Sequence, residues 1–130
     1  MSDAAPGTET RNLLRYLNAQ REHVLGILEG LDDEALRRSI LPSGWSCLGL
    51  VQHLALDVER FWFRCTVASE QDAIDSLATI DNAWQVGADL PAVAVFDLYR
   101  DEIARANAII AGTPPDNAPA WWPPELFGGW

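Results

Sequence analysis

His53 and Asp57 lie four residues apart, one helical turn, so their side chains can meet across a helix surface. Judged from spacing, this is first an ordinary His–Asp contact on the flank of an apolar stripe, and Arg60 shares that flank. Once a neighbouring helix covers the flank, it becomes the wall of a groove where neutral imidazole can coordinate zinc, nickel or iron. Further ligands would have to come from elsewhere in the fold. His23, the other histidine, falls off the leucine stripe of its own helix and reads as solvated.

Two charged residues interrupt apolar stripes: Glu102 between Tyr99, Ile103 and Ala106, and Arg21 among leucines. Buried charge is costly unless paired, so an interhelical network of Arg21, Glu102 and Glu59 is expected. The functional alternative makes Glu102 a carboxylate with a raised pKa, or a substitute metal ligand. Cys47 and Cys65 fall in one expected helix, where 18 residues span about 27 Å and exclude a disulfide. Both read as small buried hydrophobes, with Cys47, in a first turn, the one placed for reactivity. The sequence contains no glycine-rich phosphate loop, nucleophile elbow, Cys-x-x-Cys or His-x-x-x-His pair.

Helices must position these groups. Leu13, Leu14, Leu17, Val24, Leu25, Leu28 and Leu31 recur at helical spacing, with Thr8 or Thr10 as cap and Gly30 near the end. Asp32-Asp33-Glu34 suits the start of a short helix carrying Arg37 and Arg38. After the break at Leu41-Pro42-Ser43-Gly44, Ser46 caps a second long helix from about Cys47 to about Thr66, with Trp45 and Leu50 spaced as a hydrophobic staple. Its expected apolar stripe is Leu48, Val51, Leu54, Ala55, Val58, Phe61, Trp62 and Cys65. Residues 69–89 read as a long connection with partial helix. Pro91 takes the first position of a third helix, which buries Val95, Leu98, Tyr99, Ile103, Ala106, Ile109 and Ile110 and ends at Gly112 and Pro114. Residues 113–130 form an irregular tail whose Trp121, Trp122, Leu126, Phe127 and Trp130 should pack against something.

A chain of 130 residues, 48% hydrophobic, fits one domain, 1–130, with a flexible stretch at 1–7. The formal charge of −10 argues against nucleic acid and anionic lipid as partners. No signal-peptide pattern or membrane-spanning run is present, so a cytoplasmic location is expected.

From Leu13 to Phe63 the chain resembles the opening half of the DinB-like four-helix-bundle superfamily, and within it the DUF664 group, related to mycothiol-dependent maleylpyruvate isomerase. Pro42-Ser43-Gly44-Trp45-Ser46, Gly49-Leu50-Val51, His53-Leu54, Glu59-Arg60 and Trp62-Phe63 carry the resemblance, with Tyr99-Arg100 and Glu102. It implies an all-α, up-down type bundle and a divalent metal at one end, with His53 matching the ligand of the second helix. It also implies a thiol cosubstrate such as mycothiol in a transfer or isomerisation. The relatives' fourth helix, with its Glu-x-x-x-His ligands, has no match here, which leaves three main helices and an incomplete metal site. The seat it would fill is expected to be covered by the tail, by a second copy in a homodimer, or by a longer version of the chain. A non-catalytic helical module for dimerisation or small-ligand binding is the alternative reading.

Overall fold

The computed structural model describes residues 7–39 and 44–128, apart from the side chain of Leu126. The expectations for residues 1–6, for Leu41, Pro42 and Ser43, and for Trp130 fall outside the described residues. Among those described there is no strand, and no helix is long and apolar enough to cross a membrane.

Helix α1 spans Thr8–Leu28. The residue before it is Gly7, which offers no side-chain cap, while Thr10 is buried in the first turns. The expected threonine cap is therefore not formed. Gly30 ends this segment at φ +89, a left-handed conformation that favours glycine. Helix α2, Asp33–Arg37, is capped by Asp32, whose carboxylate accepts the Ala35 N–H at 2.8 Å.

Helix α3, Cys47–His53, starts at Ser46, whose hydroxyl accepts the Gly49 N–H at 3.0 Å. Trp45 stacks on Trp84, and Leu50 lies at the surface. The helix then runs directly into a π-helical segment, Leu54–Val67. A turn closed by i→i+5 bonds holds more residues, so each advances less than the 100° of an α-helix. The buried line consequently becomes Leu48, Val51, Ala55, Glu59, Cys65 and Thr66. Of the residues expected inside, Trp62 is exposed and Phe61 half-buried, and Glu59 turns in.

Residues 68–91 carry α4 (Gln71–Ser76) and a 3-10 turn (Leu77–Thr79), the partial helix expected there. Helix α5, Ala92–Ala111, buries Val95, Tyr99, Glu102, Ala106 and Ile110. Pro91 precedes its first residue instead of occupying it. The long connection returns the chain so that α5 runs in the same direction as α3 and the π-segment. Val51 and Ala55 share a core with Val95 and Tyr99, and Arg64 reaches Glu102. Helix α1 runs opposite to both, with Leu28 in the shared core and Thr10 near Ile110.

The tail folds back onto the outward face of the π-segment. The Trp121 N–H donates to the Thr66 carbonyl at 3.1 Å, and Phe61 meets the rings of Trp121 and Phe127 edge-on at 6.0 and 5.9 Å. One turn of helix, α6 (Pro124–Phe127), forms where none was expected, and it presents Phe127 to Trp62 at 5.4 Å. Between α1 and α5 a cleft of about 500 Å³ remains, lined by Leu25, Gly26, Leu36, Val93, Phe96 and Arg100 among others.

Candidate functional site

His53 ends α3, and its Nδ1 lies 2.9 Å from the Asp57 carboxylate one turn on. The expected contact is present. The ring also stacks face to face on Trp84, centroids 3.9 Å apart, and Trp84 stacks on Trp45 at 3.8 Å. Three flat rings thus form one pile at the start of the second long helix. The His53 side chain keeps 23% of its surface exposed, so it is neither sealed in the core nor free in solvent.

The pile depends on a close approach of two backbones. A Cβ built on Gly49 would fall 2.0 Å from the Trp84 carbonyl oxygen, so only glycine admits the connection here. One turn along, the Gln52 side-chain amide donates to the Ala83 and Gln85 carbonyls at 2.7 and 3.0 Å. Arg37 donates to the Gly87 carbonyl at 3.3 Å and to the Leu90 carbonyl, fixing the other end of the loop. Gly49, Gln52 and Trp84 were not among the sequence-predicted site residues. A tryptophan among Asp, Asn and Gly was the one available signal, since an indole that size rarely stays without a packing partner.

Arg60 is not at the His53 site. Its Nε donates to Glu102 Oε2 at 2.8 Å, and Arg64 Nη1 donates to the same oxygen at 2.8 Å. Arg64 continues to Glu70 at 2.8 Å. The expected Arg21–Glu102 pairing is therefore corrected: Arg21 clamps Glu59 with two bonds of 2.9 and 2.6 Å and also reaches Asn107. The network exists as two clusters, because the π turn points Glu59 at α1 and Arg60 and Arg64 at α5. Burial opposes the charge on Arg64, but its bonds to Glu70 and Glu102 outweigh that and raise its pKa. Glu102 is the counter-ion of both guanidinium groups through Oε2, while its buried Oε1 has no hydrogen-bond partner among the described residues.

Burial pushes the Tyr99 phenol up to about 12, with Glu59 adding to the shift and Arg21 opposing it. Burial likewise raises the Cys65 thiol, against Arg60 and Arg64, so the thiolate needed for reactivity is disfavoured. Cys47 is half-buried against the core, and both cysteines are free. His23 is exposed.

The donor set does not make a metal centre. His53 offers one nitrogen, Nε2, and among the described residues no group of three His, Cys, Asp or Glu side chains comes together. A catalytic zinc normally takes three protein ligands. The arrangement instead orients a single imidazole by a carboxylate at Nδ1 and leaves Nε2 for a proton or an incoming ligand.

No curated protein and no solved structure matches the chain. The family model described as Mycothiol-S-transferase matches residues 12–127, which takes in most of α1, the other two long helices, the His53–Asp57 pair and most of the tail. By that match the chain belongs to the mycothiol-S-transferase family, whose DinB-like helical bundle it shares.

Proposed function

We propose that this chain transfers a low-molecular-weight thiol, with mycothiol as the first candidate, to an electrophilic acceptor, and that His53 serves the reaction through Nε2. The observation that carries the reading is the 2.9 Å bond from Nδ1 to Asp57, which fixes the ring with Nε2 available. In this scheme Nε2 takes the thiol proton as the sulfur–carbon bond forms, and the acceptor's leaving group departs with the electron pair of its broken bond. Asp57 is a positioning residue that favours the imidazolium formed. A divalent metal such as zinc, nickel or iron would find one ligand in His53. A cytoplasmic location fits this thiol chemistry.

The test is conjugate formation. Purified protein is mixed with mycothiol and an alkylating electrophile, with and without added zinc or nickel, and the thioether is followed by mass spectrometry. Turnover above the uncatalysed rate is expected. Turnover in neither condition would overturn the proposal. A second reading, a non-catalytic helical ligand-binding module, is favoured by Trp84 covering one face of His53. It predicts mycothiol binding without conjugate.

A further inference from the structure

We propose that Gln52 is a positioning residue for His53: by clamping the backbone on both sides of Trp84 it holds the indole against the imidazole and keeps Nε2 in one place. The inference deepens the reading of His53 as the group that takes the thiol proton, and it rests on that reading. Gln52 Nε2 donates to the Ala83 carbonyl at 2.7 Å and to the Gln85 carbonyl at 3.0 Å, the two residues that flank Trp84 in the chain. Carbonyls only accept, so both hydrogens of the one amide are committed, and its oxygen could not take their place.

Where the clamp is rooted matters. Gln52 directly precedes His53, so the anchor of the indole and the ring that the indole covers share one stretch of helix backbone. The Trp84 carbonyl oxygen lies so near Gly49 that a Cβ there would fall 2.0 Å from it, and the Trp84 N–H donates to Asn82 Oδ1 at 3.0 Å. Ring stacking alone is a weak restraint on a connection without regular structure. The two amide bonds tie that connection to the helix on either side of the indole.

The His53 and Trp84 rings lie 3.9 Å apart and within 15° of parallel. An edge-on arrangement needs about 4.5 Å or more between centroids, so the imidazole cannot turn over while Trp84 stays in place. Trp84 therefore sets the plane of the ring, and Asp57 sets which edge meets the carboxylate. The indole face also attracts the positive charge that the ring gains on taking a proton. The His53 side chain keeps 23% of its surface exposed, so once Trp84 is released it can leave Asp57 for water.

Three variants test the proposal, each first shown to melt cooperatively. Gln52→Glu has the same shape, but its carboxylate cannot donate to the two carbonyls. Gln52→Asn is an uncharged version of the same loss, its amide one carbon too short to reach both. Gln52→Lys keeps a donor on a long side chain and should rescue. NMR shifts of the two His53 ring nitrogens, read where imidazole is neutral, should show a protonated Nδ1 and a bare Nε2 in the unmodified chain and in Gln52→Lys. In Gln52→Glu and Gln52→Asn they should move toward the mixed tautomers of an unrestrained ring. For mycothiol conjugation by these two, kcat should fall roughly tenfold while KM for mycothiol stays within about twofold. Unchanged ring shifts, or altered shifts with kcat unchanged, would overturn the assignment, as would a Gln52→Lys protein that behaves like Gln52→Glu. If the unmodified chain forms no conjugate, the proton-transfer reading of His53 fails by itself, and the ring shifts still decide whether Gln52 places the imidazole.

Discussion

His53 is held from two directions, by Asp57 in the ring plane and by Trp84 across the ring face. The first partner was legible because i,i+4 spacing is local. The second was not, since Trp84 lies in a stretch without periodicity and reaches His53 only through the glycine contact at Gly49. Gly49→Ala should therefore push the connection off and cost about 1–3 kcal/mol in denaturant unfolding, with the Trp84 stack lost from near-ultraviolet circular dichroism. Glu102→Gln leaves Arg60 and Arg64 facing a neutral amide in a nearly dry site. A loss of about 1–3 kcal/mol is expected, and an unchanged melting temperature would reject the counter-ion role. Tyr99 gives a pH signature. Its folded pKa is raised above the ordinary 10, so the native state holds the proton more tightly than the unfolded chain. That contribution is complete below pH 10 and is lost as pH rises toward about 12. Tyr99→Phe should flatten this part of the alkaline unfolding curve.

The long helices were readable from the spacing of leucines, valines and isoleucines, and the cap of the second from Ser46, whereas the threonine cap expected for the first did not form. What the spacing could not reveal was the π-helical segment, because a helical wheel assumes one angle per residue throughout. The departures of the second helix from the wheel lie in that segment: Trp62 is exposed, Phe61 is only half-buried, and Glu59 faces in. Phe61 and Trp62 then receive the tail. Phe61 touches Trp62, Trp121 and Phe127, so Phe61→Ala should cost about 1–3 kcal/mol and free the tail. Limited proteolysis should then cut after Ala111 faster than in the unmodified chain, and equal rates would mean that the aromatic cluster does not hold the tail.

For the molecule as a whole, the all-α bundle was legible because three amphipathic segments have to share one interior, and the family match agrees over residues 12–127. Ligand geometry was less legible, since it depends on which residues the long connection brings back to α3. It brings back an indole, and among the described residues no group of three His, Cys, Asp or Glu side chains gathers, so the proposed chemistry rests on one oriented imidazole. The measurement that tests this most directly is mycothiol conjugation by His53→Ala and Asp57→Asn variants beside the unmodified protein, each first shown to melt cooperatively. The account predicts that His53→Ala lowers kcat by about 10²-fold or more and that Asp57→Asn falls between the two, with mycothiol binding retained throughout. A His53→Ala protein that conjugates as fast as the unmodified chain would contradict it.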